Sequence, residues 1–249
     1  MNKVAQVTGL FWILKILATT LGETAGDQLS KTMGLGYGVS SLILISLFVV
    51  SLLFQLTSKR LLPPLFWTVI LTTSTAGTTM SDYMDRTLEL GYATGSLILV
   101  SCLCVVLTAW RLREGTLSVS NVQTTRAEVF YWVAILFSNT LGTALGDYLA
   151  DDSGLGFMGG AALIGGLLGM IALAYFFTRI NRIVLFWLAF VLTRPFGATF
   201  GDVLARPVEE GCLGFGTAAS SAILGGLLVF FVILDGVLRS RAAAAQAGA

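Results

Sequence analysis

Apolar runs of about twenty residues recur eight times along the chain with short polar breaks between them. They cover approximately 8 to 29, 36 to 57, 64 to 84, 91 to 111, 128 to 149, 156 to 178, 182 to 204 and 214 to 238. A hydrocarbon core about 30 Å thick is crossed by roughly 20 helical residues, so the pattern predicts eight transmembrane helices and an all-α polytopic membrane fold. The polar positions inside the runs are not scattered. Each odd-numbered run ends in a Gly five residues before an Asp, at Gly22 and Asp27, Gly77 and Asp82, Gly142 and Asp147, Gly197 and Asp202. A Trp stands fifteen residues before each Asp, at Trp12, Trp67, Trp132 and Trp187. At 1.5 Å per residue this separates Trp and Asp by about 22 Å along a helix, so a Trp at one interface puts its Asp near the other edge of the hydrocarbon.

The Asp spacings of 55, 65 and 55 residues make the second half a copy of the first at an offset of 120. A double duplication explains this economically. It yields four two-helix units, approximately 8–58, 63–112, 128–178 and 183–239, in halves 1–115 and 126–239 joined by a linker. Two spans per unit give every unit the same orientation, so the repeats are parallel and pseudo-symmetric about an axis along the membrane normal. The second helix of each unit opens with Gly and an aromatic: Gly36-Tyr37, Gly91-Tyr92, Gly156-Phe157 and, after a three-residue insertion, Gly214-Phe215. These second helices are rich in Gly, Ala and Ser. Small residues let helices approach closely in lipid, which marks them as the expected packing elements.

Composition narrows the function classes. Hydrophobic residues make up 55% of the chain and charged residues 12%, about half the usual charged share, which leaves no room for a soluble catalytic domain. The absence of His removes imidazole acid–base chemistry and imidazole metal ligation. Cys102, Cys104 and Cys212 are too few and too irregularly spaced for a disulfide framework. Ten of the fifteen basic residues (Lys3, Lys59, Arg60, Arg111, Arg113, Arg126, Arg179, Arg182, Arg239 and Arg241) fall on the side shared by the termini. The positive-inside rule makes that side cytoplasmic. Ala242 onward reads as a fraying tail.

Charge inside the spans carries the candidate chemistry. Residues eight and four positions before each Asp share its helix face: Thr19 and Glu23 below Asp27, Ser74 and Thr78 below Asp82, Asn139 and Thr143 below Asp147, Arg194 and Ala198 below Asp202. Lys15 lies one turn deeper in the first unit, and Pro195 follows Arg194 in the fourth. Ionisable groups at the bilayer centre cost about 2.5–3.5 kcal/mol even on lenient scales, so four such stripes are expected to face a common interior. Carboxylates gathered at one level need a compensating cation. The leading expectation is therefore transport of a small inorganic cation or a proton along a polar path. Asp27, Asp82, Asp147 and Asp202 are the candidate ligands, also for a bound divalent cation such as Mn, Mg or Ca, and Glu23, Ser74, Thr78, Asn139 and Thr143 line the path. Lys15, Glu23 and Arg194 break the repeat symmetry and are candidate coupling or gating residues. Capping and turn roles for the Asp residues favour instead a non-transport scaffold or accessory subunit. An intramembrane enzyme ranks third, because no nucleophile accompanies the carboxylates, and the chain is read as not an enzyme. The expected partners are the lipid bilayer, the transported ion and, as an open option, a second copy of the chain; nucleic acid is not among them.

With its four Trp residues and four Gly-x4-Asp elements, the chain resembles a family of bacterial integral membrane proteins built from four tandem two-span repeats of unknown function. Glu89, where a Gly is expected, and the insertion before Gly214 are its departures from the pattern. The resemblance implies eight helices and a bacterial cytoplasmic membrane, and it implies no activity.

Overall fold

The computed structural model describes residues 4–247, without the side chains of Asn121, Arg239 and residues 241–247. Lys3 lies outside these residues, as do the side chains of Arg239 and Arg241, which entered the charge count. Eight long helices follow one another: α1 (Gly9–Asp27), α2 (Gly36–Thr57), α3 (Pro63–Asp82), α4 (Tyr92–Glu114), α5 (Thr125–Asp147), α6 (Gly156–Phe177), α7 (Arg182–Ala205) and α8 (Gly216–Ala247). The last helix runs on to Ala247, past the predicted end of the eighth run. Six of the eight are long and apolar enough to cross a membrane by length and composition, in a chain built as a multi-pass membrane protein. The other two are α1, which carries Lys15, Glu23 and Asp27, and α3, which carries eight Ser and Thr.

The odd helices form a closed inner ring in the order α1, α3, α5, α7 and back to α1. Residues at similar depth meet around it, Phe11 against Trp67 and Phe66 against Trp132, for example. All four inner helices therefore run in the same direction. Each even helix packs chiefly on the first helix of the following unit: α2 on α3, α4 on α5, α6 on α7, and α8 on α1. The units thus interlock, and the last one closes on the first.

Polarity explains which helices are inside. In the outer helices only 17–33% of the apolar span is buried, against 67% in α5 and 50% in α7. Leu, Ile, Val and Phe side chains cover the outer surface, as lipid-facing positions require, while Ser, Thr, Asn and charged groups turn inward where other helices satisfy them.

Close approaches recur between inner helices, while among the small residues of the outer helices only Gly95 of α4 is as tight, a Cβ there coming within 1.9 Å of Asp85 Oδ1. A Cβ on Gly22 would come within 2.5 Å of Ser74 Cβ, one on Gly197 within 2.5 Å of Thr19 Oγ1, and one on Gly77 3.0 Å from the Asn139 and Thr140 backbone. On Gly142 it would lie 2.2 Å from Arg194 Cγ. The Gly of every Gly-x4-Asp element thus admits the next unit's residue at the position eight before its own Asp. By contrast, Cβ atoms on Gly166, Gly169 and Gly226 of the outer helices would meet nothing within 4 Å.

Past the Asp, the helix widens into a π turn in three units, at Gln28–Thr32, Tyr83–Thr87 and Tyr148–Asp152. The fourth unit ends at Arg206, whose backbone is extended because the following Pro207 disfavours the helical conformation. The turns that follow hold paired left-handed residues, Gly34 and Gly36, Glu89 and Gly91, Gly154 and Gly156, Gly214 and Gly216, with a further one at Gly211 in the longer fourth turn. Among the described residues Glu89 is the one non-Gly residue with positive φ, so the departure seen in the sequence keeps the backbone shape. In the fourth unit Gly214 takes the role of Gly34, and the helix opens at Gly216-Thr217. Gly216 follows Asp202 by fourteen residues where nine separate Asp27 from Gly36, so the insertion is five residues and not three.

Replacing Gly22 or Gly197 with Ala should destabilise the protein by about 1–3 kcal/mol through overpacking, while Gly169→Ala should leave it unchanged. Thermal unfolding in detergent distinguishes them as a lowered Tm for the first two variants only.

Candidate functional site

Four Asp side chains, one from the end of each inner helix, converge at one end of the ring, and all are buried or nearly so. Their counter-charges come from within the chain. Lys31 Nζ lies 2.8 Å from Asp27 and 3.7 Å from Asp82. Arg86 lies 2.8 Å from Asp82 and 3.2 Å from Asp147, and Arg206 2.9 Å from Asp202. Each base follows its own Asp by four residues, one helical turn, and the first two also reach the Asp of the next unit. The third unit has Asp151 at that position, so the step from Asp147 to Asp202 has no base of its own. Arg206 lies beyond the end of α7. Burial acts against its charge, and the adjacent Asp202 outweighs that and holds the guanidinium above its ordinary pKa.

Part of this cluster borders a vestibule of about 310 Å³ lined by Asp27, Lys31, Tyr37, Arg86, Asp202, Arg206, Glu210 and Thr217, whereas Asp82 and Asp147 do not line it. Tyr37 thus faces the mouth, and the Tyr92 hydroxyl donates to Asp151 at 3.2 Å. Among the described residues no group of three or more Cys, Asp and Glu is arranged to hold a metal ion. The four Asp residues spend oxygens on Lys31, Arg86 and Arg206, so they do not make the bare cage for a divalent cation that their sequence positions suggested.

One turn and a half deeper, Arg194 crosses the axis with no exposure to solvent. It donates to Glu23 Oε2 and to the Thr19 carbonyl on α1, each at 3.2 Å. On α3 it donates to the Ser74 carbonyl at 3.2 Å and to the Thr78 hydroxyl, and on α5 to the Thr143 hydroxyl at 2.8 Å. Glu23 in turn accepts from Thr78 at 3.2 Å and Thr143 at 3.4 Å. One guanidinium thereby ties its own helix to the other three inner helices. Gly142 is what lets it pass, since the Arg194 stem lies where a Cβ would be.

Below this layer sit Lys15 and Asn139, both fully buried. Lys15 Nζ donates to Asn139 Oδ1 at 3.3 Å and lies 4.2 Å from the centroid of the Phe190 ring, a cation–π distance. The Asn139 amide donates to Thr73 at 2.9 Å. The far end of the axis is closed by aromatic rings. Every unit has an aromatic residue before its Trp, and these meet across unit boundaries: Phe11 with Trp67 at 5.6 Å, Phe66 with Trp132 at 5.5 Å, Phe186 with Trp12 at 5.8 Å. Between the third and fourth units the fifth tryptophan, Trp110, fills the place, 6.4 Å from Tyr131 and 5.8 Å from Trp187.

All eleven residues singled out in the sequence lie on this axis. Thr78, Thr143, Glu23 and Arg194 share one layer, Lys15 and Asn139 another, and the four Asp residues a third. Ser74 contributes its carbonyl, and its buried hydroxyl has no hydrogen-bond partner. Sequence reasoning missed Lys31, Arg86 and Arg206, although a base four residues after Asp in three of four units was a readable signal. Thr24, Thr79 and Thr199 bond back to carbonyls of their own helices, as a local structural role requires. Cys102, Cys104 and Cys212 are free thiols.

The family model described as Repeat of Unknown Function (DUF347) matches four times, over residues 10–61, 65–116, 130–181 and 185–237. The chain belongs to the DUF347 family. No curated protein and no solved structure matches it. Each DUF347 repeat begins within the inner helix and ends just past the outer one, except the fourth, which ends inside α8, so the interlocking seen here is a contact between successive DUF347 repeats.

Removing one partner of a buried pair strands the other charge and costs about 3–5 kcal/mol. Arg194→Met should lower stability by that amount, and Glu23→Leu in the same chain should recover part of it. A double-mutant cycle on unfolding in detergent would show coupling of that sign; additive losses would mean that the two residues act independently.

Proposed function

We propose that the chain is a bacterial inner-membrane transport protein for a small cation, with the vestibule at the Asp end of the ring as its outer binding site. The observation that carries this reading is the convergence of Asp27, Asp82, Asp147 and Asp202 at the end of the ring where an open vestibule, lined by Asp27 and Asp202, heads a column of buried polar side chains. All eight helices cross the bilayer with both termini cytoplasmic. Two observations support this placement: α1 and α3 share the ring and the depth of the more apolar α5 and α7, and basic residues gather at the opposite end from the Asp residues. The aromatic layer closes the inner end, so access is from one side at a time, as in alternating-access transporters.

A proton fits the vestibule better than a metal ion. Lys31, Arg86 and Arg206 already balance the carboxylates, so a metal must displace them, whereas a proton neutralises a carboxylate in place and releases its base. Arg194 stands across the path as a fixed positive barrier. Protonation of Glu23 would remove its counter-charge, which makes this pair the coupling element. A second reading, a scaffold without transport, is favoured by the bonds from Arg194 to three other helices, which suit a structural bolt.

Purified protein in liposomes containing a pH-sensitive dye separates the two. Under an imposed membrane potential, the wild type should acidify or alkalinise the lumen faster than protein-free liposomes, and Asp147→Asn or Asp27→Asn should abolish the difference while circular dichroism stays unchanged. Absence of flux of protons and of Na, K, Mg, Ca or Mn ions by the wild type would reject transport. Wild-type flux in both Asn variants would reject the Asp site.

A further inference from the structure

The four outer helices are not equivalent. Counterpart positions in α2, α4, α6 and α8 are buried at Leu44, Leu99, Ile164 and Leu224. One step further along the same face, Phe48, Leu103 and Leu228 stay buried while Leu168 of α6 does not. At the last position Gln55, Trp110 and Asp235 are buried, but Tyr175 of α6 is 50% exposed. The second half of α6 therefore stands away from the inner ring where its three counterparts close on it.

The space that opens is a groove of about 650 Å³, Leu168 and Ile171 of α6 on one wall, Phe186 and Ala189 of α7 and Trp12 and Ile16 of α1 on the other. Linker residues 117–120 cross its end. Its volume is that of a ligand pocket, and its walls are almost wholly apolar. Polar groups gather at the end nearest the linker, where Arg182, Ser118, Ser120 and Thr8 line the mouth. Outside, α6 presents exposed Met170, Leu173 and Phe177, so the occupant arrives from an apolar phase and not from water.

We propose that this groove binds one acyl chain of an anionic phospholipid of the inner leaflet, with its phosphate held by Arg182 and the Ser118 and Ser120 hydroxyls. An apolar slot ending in a cation and hydroxyls at the level of the helix ends matches the chemistry of that molecule from tail to headgroup. Guanidinium is the side chain suited to phosphate oxygens. The proposal rests on the membrane placement given above and is independent of transport. The occupant reaches Thr193, whose carbonyl accepts from the Thr19 hydroxyl at 3.3 Å and which immediately precedes Arg194.

Native mass spectrometry of the protein released from nanodiscs of mixed phosphatidylglycerol and phosphatidylcholine tests this. A single phosphatidylglycerol adduct should survive activation. Ala189→Trp, which fills the groove, should remove it at unchanged helicity and Tm. Arg182→Gln, an exposed change that leaves folding intact, should lower the preference for phosphatidylglycerol over phosphatidylcholine roughly fivefold, as expected for one basic contact. Adducts equal in wild type and both variants would overturn the site, and so would a retained mass of another lipophilic compound or of a second chain. These results are read without any flux measurement, so loss of the lipid site and loss of transport are separate outcomes.

Discussion

A guanidinium with no exposure to solvent must find its counter-charge and its acceptors inside the protein, and Arg194 finds them on all three of the other inner helices. Leaving such a group unpaired costs several kcal/mol, so the contact demands that α1, α3 and α5 stand at fixed depth and rotation around α7. The ring geometry follows from that demand. Glycines at equivalent positions bring the backbones close enough for short side chains such as Thr78 and Thr143 to complete the network.

Around this centre the axis is layered by chemistry. Aromatic rings fill one end, Lys15 and Asn139 follow, then the Arg194 and Glu23 pair, then carboxylates alternating with bases at the vestibule. Only the last layer is open, and only there do the charges sit within reach of water. Pseudo-symmetry sets the layers, while substitutions within it make them chemically uneven: Lys15, Glu23 and Arg194 occur once each, and Asp151 replaces a base in the third unit. A duplicated fold needs only small and polar residues at these positions. The charges are additions to that need, which is why the functional proposal rests on them.

The outer helices show the same division between inherited pattern and local departure. Three of them close on the ring at the counterpart positions down to Gln55, Trp110 and Asp235, whereas α6 does not, and its groove is lined by residues of three helices and the linker. Such a feature has no signature in any one helix, because Leu168, Ile171 and Tyr175 are ordinary apolar positions by periodicity.

By itself the sequence determined the eight helices, the four parallel repeats and the inward-facing polar stripe, because these depend on helical period and on what lipid tolerates, both local properties of the chain. Even the near four-fold register of Asp, Gly and Trp was legible. Tertiary structure decided that each second helix packs on the next unit's first helix, that Gly-x4-Asp is a close-contact element, and that Arg194 takes Glu23 as its partner from among three nearby carboxylates. It also decided that Lys31 and Arg86 bridge successive Asp residues, which turned an expected cation cage into a ring that carries its own cations. The Arg194 contacts alone join residues 51 to 175 positions apart, and they exist together only once α7 has closed against α1. Ring closure is a property of all four units together, and no periodicity within one of them encodes it.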